Sequence, residues 1–303
     1  MDTPDSVCRA RPLLGTFVEI RSAGASRRAA EQAVEAAFAA IAKVQRLMSF
    51  HDAASDVSRL NREAFNHSVV VDPWTYEVLE TALALHRQSM GAFDIAVAPA
   101  LQELGVLPSN EGERDVGRIE RATSGAIELL PDNRVCFHHP ATRIDLGGIA
   151  KGFAVDRAID VLREQRQSHG LVNAGGDLAA FGSFPETVAL RDPRDPRHSI
   201  CNIAIADEAL ASSGRLFNPF ETADALGSAA IDPATQKPTT EIAGASVRAS
   251  SCAIADALTK VVMIAGERAG ELLSQYRADA LMVMACGDVR VTPEWANGIR
   301  ACA

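Results

Sequence analysis

Extended segments that turn back on themselves constrain the fold of this chain more than any other feature. Pro131-Asp132-Asn133 separates two short apolar runs, and Cys286-Gly287-Asp288 separates two more. Turn residues in such positions are typical of β-hairpins, which join neighbouring antiparallel strands. Predicted strands outnumber predicted helices and mostly return through hairpins. The sequence therefore favours an α+β fold over a doubly wound parallel sheet.

Helices are indicated by apolar residues at three- and four-residue steps, as in Val34, Phe38 and Ile41, a stripe that we assign to the core. Periodicity and cap residues predict helices over residues 26–48, 72–90, 151–167, 253–264 and 268–276. Alternating or apolar runs predict strands at 16–21, 126–130, 134–138, 171–174, 178–181, 188–191, 200–206, 246–249, 281–285 and 289–292. The segment 108–125 is expected to be a connection, and the charged run 191–197 a solvated loop.

Charge limits the partners of this protein. Its 303 residues include 30 Lys+Arg against 39 Asp+Glu, a formal net charge of −9. Nucleic acid and anionic lipid surfaces are held by clustered cationic side chains, so we expect neither partner. Any phosphate must instead be met locally by a few cations. The lysines are Lys43, Lys151, Lys237 and Lys260.

The sequence gives no sign of export or of a membrane span. The first fifteen residues lack the apolar segment of about 7–15 residues that a signal peptide needs, and no run approaches the roughly 18 apolar residues of a spanning helix. Six scattered cysteines without a C-x-x-C pair predict reduced thiols and no zinc site. We therefore expect a cytoplasmic protein, although a trimmed exported chain has the same appearance.

A glycine pair precedes the predicted helix that carries Lys151. The sequence Ile144-Asp-Leu-Gly-Gly-Ile-Ala-Lys151 indicates an extended segment, a Gly-Gly turn and a helix start. Helix starts present free N–H groups and partial positive charge, and glycines allow a ligand to approach the backbone. Either an anion site or a tight strand-to-helix turn fits this pattern. Neither the Walker A sequence nor the G-x-G-x-x-G fingerprint is present.

Two further segments have both a structural and a functional interpretation. In Asn173-Ala-Gly-Gly-Asp177 the polar side chains suit a ligand edge, but a β-turn between strands is the simpler interpretation. Asp256, Thr259 and Lys260 share one helix face by their spacing. They form either an ordinary Asp–Lys surface pair or a source of oxygen ligands for Mg²⁺.

Taken together, these segments resemble the ApbE family of FAD:protein FMN transferases. The resemblance covers nearly the whole chain. Its motifs, in order, are Leu14-Gly-Thr16, Met48-Ser49, Ser55-Asp-Val-Ser-Arg-Leu-Asn61, Gly91-Ala-Phe-Asp94, residues 145–156, residues 173–177, Ala211-Ser-Ser-Gly214, Ile231-Asp-Pro233 and residues 255–258.

The resemblance implies a T-fold-related α+β architecture of mixed, largely antiparallel sheets with packed helices. Residues 1–303 would form one unit, with a smaller lid subdomain around 50–125. It also implies an enzyme that binds FAD as substrate, uses Mg²⁺ at the diphosphate and moves FMN to a Ser or Thr hydroxyl of an acceptor protein, releasing AMP.

Site residues follow from the same motif matches. The implied FAD contacts are Leu14, His51, Ala92, Phe93, Asp94, Asp145, Lys151, Asn173, Gly175, Gly176, Asp177 and Ile231. The implied metal ligands are the Gly148 carbonyl, Asp256 and Thr259, and the implied catalytic residues are Asp256 and Lys260.

Three positions depart from the family pattern. Ala229 stands where the family has the histidine thought to act on the acceptor hydroxyl, and no histidine follows His198. Lys260 stands where a metal-side threonine is typical, with Thr259 one position early, and Leu14 replaces a methionine. Loss of a general base costs about 10²–10⁴ in rate. Two hypotheses therefore stand: an FMN transferase with altered chemistry, or an FAD-binding protein, or slow FAD pyrophosphatase, without transferase activity.

Overall fold

The structure is a computed structural model that describes residues 6–108, 122–214, 230–295 and 299–300. The strands are β1 Ser6–Leu13, β2 Thr16–Ala23, β3 Val69–Val70, β4 Ile127–Leu130, β5 Arg134–Phe137, β6 His169–Ala174, β7 Asp177–Gly182, β8 Glu186–Asp192, β9 Asp195–Ile205, β10 Glu208–Gly214, β11 Ile231–Asp232, β12 Lys237–Pro238, β13 Ile242–Ala249, β14 Asp279–Met284, β15 Val289–Val291 and β16 Ile299–Arg300. The helices are α1 Arg27–Met48, α2 Asp56–Glu63, α3 Pro73–Gln88, α4 Ala98–Glu103, α5 Ala150–Glu164, α6 Cys252–Ala265 and α7 Gly270–Gln275.

An eight-stranded antiparallel sheet forms the centre of the molecule. Its strand order is β1-β2-β6-β7-β10-β13-β14-β15, and each neighbouring pair is antiparallel. Smaller sheets have the orders β3-β5-β4, β16-β9-β8 and β11-β12. The α+β fold with largely antiparallel sheets is therefore confirmed.

Three helices pack together on the central sheet. Helix α1 packs against β1, β2 and α5, while α6 packs against α5, β10 and β13. Their apolar faces belong to one large buried cluster. A smaller cluster lies between the central sheet and β8–β9 and includes Leu190, Ile203 and the fully buried Trp295. The helix layer is the one that positions the candidate site.

Cap residues place the helix starts where the sequence predicts them. The Ser26 hydroxyl accepts a hydrogen bond from the Ala29 N–H at the start of α1. The Asp72 carboxylate does the same for Trp74, with Pro73 as the first residue of α3. Side-chain acceptors at these positions satisfy N–H groups that lack partners within the helix. These two boundaries are therefore local properties of the sequence.

Several strands escape prediction, and one predicted turn is shorter than the sequence suggests. Strand β1 lies at a sheet edge with only Val7 buried, so it shows little apolar alternation. Strand β10 is built mostly of small residues, which lack the β-branched pattern. The run 191–197 contains the turn of the β8–β9 hairpin, and the residues on either side of that turn belong to the two strands. Arg194 and Arg197 are exposed and pair with nearby aspartates, as expected of a solvated turn.

In the segments that the structure describes, no helix is both long enough and apolar enough to cross a membrane.

Candidate functional site

A cleft of about 620 Å³ opens where α5 begins, between α1, the loop around residues 92–97 and α6. The predicted site residues that line it are Leu14, His51, Ala92, Phe93, Asp94, Asp145, Gly148, Lys151, Ile231 and Lys260. Asp177, Asp256, Thr259, Asn173, Gly175 and Gly176 are not part of the described lining. The fold thus brings together positions that are far apart along the chain.

Glycine residues bring the start of α5 to the surface of the cleft. Gly147 donates its N–H to Asp145 Oδ2 at 2.9 Å, which closes the turn before the helix. At Gly148 an added Cβ would lie 3.6 Å from both Lys260 Cε and the Phe93 ring. At Gly152 an added Cβ would lie 2.2 Å from the Cys252 carbonyl oxygen. Glycine at 152 therefore allows α5 and α6 to approach each other at the site.

Lys151 lies in the first turn of α5 and forms an ion pair across to the central sheet. Its Nζ is 2.5 Å from Asp177 Oδ2 at the start of β7. The Asp177 side chain is 1% exposed, whereas that of Lys151 is 34% exposed and lines the cleft. The ammonium therefore faces the cavity while its carboxylate partner lies behind it.

A second lysine forms a similar pair within α6. Lys260 Nζ is 2.5 Å from Asp256 Oδ1, 2.8 Å from Ser213 Oγ and 3.2 Å from Thr259 Oγ1. Asp256 is fully buried, and its Oδ2 accepts the Gly152 N–H at 3.3 Å. The Thr259 hydroxyl lies 2.7 Å from both the Asp256 carbonyl and Ser213 Oγ. This cluster joins α6, β10 and the start of α5.

The two pairs influence each other electrostatically. Burial opposes ionisation of Asp256, but the Lys260 and Lys151 ammoniums hold its pKa below the usual value. Burial and the Asp256 carboxylate raise the pKa of Asp177 against the attraction of Lys151. Burial opposes the charge of Lys151, yet Asp177 and Asp256 raise the pKa of its ammonium. The buried carboxylates therefore favour the charged form of Lys151, in a cluster whose formal charges cancel.

The family resemblance implies a Mg²⁺ site at Asp256. The oxygen atoms around Asp256 do not form such a site. One Asp256 oxygen is held by an ammonium and the other by a backbone N–H, while the Thr259 hydroxyl already has two oxygen partners. Mg²⁺ requires an octahedral set of oxygen ligands that accept no competing proton. Within the described residues, no group of three His, Cys, Asp or Glu side chains is arranged to hold a metal.

Asp94 fixes the loop that forms one wall of the cleft. Its Oδ1 accepts hydrogen bonds from the Ala96 N–H at 2.7 Å and the Ser124 hydroxyl at 2.6 Å. The ring of His86 lies 3.3 Å from its other oxygen and 3.0 Å from the Phe93 carbonyl. The Asp94 side chain is nearly buried, so it positions Ala92 and Phe93 from behind.

Asp156 links the two helices that carry the lysines. Its carboxylate accepts hydrogen bonds from the Ser251 hydroxyl at 2.8 Å and from the N–H groups of Cys252 at 2.7 Å and Ala253 at 2.9 Å. These groups form the first turn of α6, where a carboxylate is favoured by the helix dipole. Burial nevertheless raises the pKa of Asp156.

Asn173, Gly175 and Gly176 shape the turn between β6 and β7. The Asn173 side-chain oxygen accepts the Gly176 N–H at 2.9 Å, and both glycines have positive φ, of 69° and 107°. The predicted β-turn therefore accounts for these residues. Asp177 follows the turn. Among the described side-chain hydrogen bonds it has only the one from Lys151, so it acts on the cleft through that lysine.

Other cleft residues were not predicted as site residues. Ser213 lines the cleft beside Lys260, and its only sequence signal was the motif Ala211-Ser-Ser-Gly214. Val44 and Met48 belong to the core, as the sequence predicts, and they also border the cleft. Helical periodicity identifies the buried apolar face but not which part of it borders a cavity. His51 is the one histidine of the described cleft lining, and Ala229 lies outside the described residues.

Comparison with known proteins identifies the family of this chain. The FAD:protein FMN transferase of Vibrio cholerae is 29% identical over 255 residues, covering 80% of this chain and 76% of the relative. That of Treponema pallidum is 25% identical, covering 96% and 88%. The crystal structure of the ApbE protein of Thermotoga maritima superposes with a TM-score of 0.84 at 26% identity, covering 97% and 99%. The sequence pattern of the ApbE family matches residues 14–285. The chain therefore belongs to the ApbE family.

Proposed function

We propose that this protein is an FAD:protein FMN transferase, which moves FMN from FAD to a Ser or Thr hydroxyl of an acceptor protein and releases AMP. The observation that carries the proposal is the mixed lining of the cleft. Apolar side chains such as Met48 and Ile264 line it together with two ammoniums and the start of α5. FAD likewise combines a flat flavin ring with a charged diphosphate.

In the proposed reaction the acceptor oxygen attacks the phosphorus of the FMN half. The bond from that phosphorus to the bridging oxygen breaks, AMP departs with the oxygen, and the hydroxyl proton leaves to a base. Lys151, Lys260 and the N–H groups at the start of α5 would bind the diphosphate and offset the charge that develops on the leaving group. No step is assigned to Mg²⁺, because the donor set around Asp256 does not fit it.

Leu14, His51, Ala92, Phe93 and Ile231 would contact FAD directly, because they line the cleft. We propose that the segment around residues 50–125 acts as a lid. Its described part contributes residues 92–95, 97, 101, 106 and 107 to the cleft wall, while residues 109–121 lie outside the described part.

A second function is FAD binding with slow diphosphate hydrolysis and no transfer. The observation that favours it is Ala229, which takes the place of the family histidine. The following residues, Ala230 and Ile231, line the cleft. An acceptor hydroxyl entering here would lack the expected base, at a cost of about 10²–10⁴ in rate.

One experiment separates the two functions. Purified protein is incubated with FAD and a flavin-acceptor domain, with Mg²⁺ or with EDTA, and the acceptor is weighed by mass spectrometry. The transferase is expected to add the mass of an FMN group and to release AMP. An acceptor of unchanged mass, with FAD bound to the protein, would contradict transfer and favour the second function.

A further inference from the structure

We propose that the Lys260 ammonium occupies the cation position at Asp256 in place of a divalent metal. From there it would donate to the diphosphate in place of its longest contact, the one of 3.2 Å to Thr259 Oγ1, so that flavin binding by this chain does not depend on Mg²⁺. The inference rests on the proposed function for the identity of the ligand. Its first part, the absence of a metal site at Asp256, concerns the protein alone.

The contacts of the ammonium are those of a cation held by oxygens. Lys260 Nζ lies within 3.2 Å of three oxygens, which belong to Asp256, Thr259 and Ser213. These oxygens come from α6 and β10, so the position is built by the tertiary structure. A metal ion could bind the same Asp256 oxygen only by displacing the ammonium, since two cations at this separation repel each other.

The exposure of the side chains shows which charge faces a ligand. Asp256 is fully buried, whereas the Lys260 side chain is 23% exposed and lines the cleft. Gly148 leaves room beside it, because even an added Cβ would stay 3.6 Å from Lys260 Cε. The Lys151 pair is arranged in the same way, with a buried Asp177 carboxylate behind a partly exposed lysine side chain. Two ammoniums, each paired with a buried carboxylate behind it, therefore line the cleft where a diphosphate would bind.

The metal part is tested with Mn²⁺, an oxygen-seeking substitute for Mg²⁺. The loss of the free Mn²⁺ signal in electron paramagnetic resonance is measured for the wild-type protein and for Asp256→Asn, without flavin. We expect no Mn²⁺ binding that depends on Asp256. Wild-type binding that disappears in Asp256→Asn overturns the proposal. This measurement needs no lysine variant to fold.

The ligand part is tested by titrating FAD and following flavin fluorescence. Wild-type affinity should be the same within about threefold in EDTA and in Mg²⁺. Lys260→Thr in EDTA should weaken binding about 10- to 100-fold, the range for a hydrogen bond to a charged group. Lys237→Thr, at an exposed lysine outside the cleft lining, should stay within about twofold. A gain of more than about tenfold on adding Mg²⁺ to the wild type, or unchanged affinity in Lys260→Thr, overturns the proposal.

The same set of measurements distinguishes this inference from the proposed function. If no FMN is transferred but FAD binding is independent of Mg²⁺ and needs Lys260, the transferase function is contradicted and the role of Lys260 is supported. If FMN is transferred and Mn²⁺ binds at Asp256, the role of Lys260 is contradicted and the transferase function is supported.

Discussion

The two lysine–aspartate pairs beside the cleft have the same N–O distance, 2.5 Å, but their partners come from different elements. Lys151 and Asp177 come from a helix and a strand 26 residues apart, whereas Lys260 and Asp256 lie one turn apart on α6. In the first pair, Asp177 Oδ1 is buried and has no hydrogen-bond partner. In the second, both Asp256 oxygens are engaged.

This difference separates the roles of the two lysines. Lys151 is the one hydrogen-bonding partner described for a buried carboxylate, so its charge is needed for folding as well as for a ligand. Asp256 keeps a backbone N–H and a neighbouring Lys151 when Lys260 is removed. We therefore expect Lys151 to dominate stability and Lys260 to act mainly on the ligand. The following predictions test that distinction, from the largest expected effect to the smallest.

Lys151→Ala should lower the free energy of unfolding by about 3–5 kcal/mol, because it leaves the Asp177 charge buried and unpaired. Lys260→Ala should lower it by less, and urea denaturation measures both. The double variant Lys151→Met/Asp177→Asn should recover most of the loss, since it removes both charges. Equal losses in Lys151→Ala and Lys260→Ala would show that the pairs do not differ in the way proposed.

Asp156→Ala tests whether the two pairs depend on the junction of α5 with α6. It removes three hydrogen bonds from the first turn of α6 and should cost about 2 kcal/mol of unfolding free energy. Asp156→Asn keeps one acceptor oxygen and should lose about half as much. FAD affinity should fall in Asp156→Ala, because the lysines are then less well positioned. A stability loss with unchanged affinity would make the junction purely structural.

Ser213→Ala changes only the Lys260 pair, since Ser213 contacts Lys260 and Thr259. Loss of a hydrogen bond of this kind costs about 1 kcal/mol, which corresponds to a roughly fivefold weaker FAD affinity in a fluorescence titration. Ser212→Ala is a matched control, because Ser212 bonds to Ser246 instead. Equal effects of the two variants on FAD affinity would argue against a role for Ser213 at the ligand.

Asp145→Asn tests the carboxylate that lies in the cleft outside both pairs. Burial raises the pKa of Asp145, although the Gly147 N–H and nearby positive charge lower it. A raised pKa in the folded state favours folding below the unfolded value of about 3.9 and loses this contribution as pH rises through the folded pKa. The amide variant should therefore gain about 0.5 kcal/mol at neutral pH.

The same variant should show a flatter dependence of stability on pH across the acid range. Thermal unfolding at a series of pH values measures this dependence. A variant that is less stable than the wild type at neutral pH would mean that the ionised Asp145 is stabilised by the hydrogen bond from Gly147 more than it is destabilised by burial.

Local patterns predicted much of the helix layer and part of the site. The caps at Ser26 and Asp72 and the glycine turn before α5 depend on neighbouring residues, so the sequence shows them directly. The spacing of Asp256 and Lys260 likewise predicts their pairing. Strand β1 was missed, because an edge strand tolerates polar residues that carry no alternating signal.

The sequence by itself determined the antiparallel α+β class, the family motifs and the scarcity of lysine, which made Lys151 and Lys260 candidates for phosphate binding. Only the tertiary structure decided which carboxylate each lysine meets and which of the two charges faces the cleft. It also decided that Asp94 and Asn173 hold loops, and that the core residue Met48 borders a cavity. Those outcomes depend on contacts between distant segments, and burial, which decides whether a charge meets a ligand or a partner, is a property of the assembled fold.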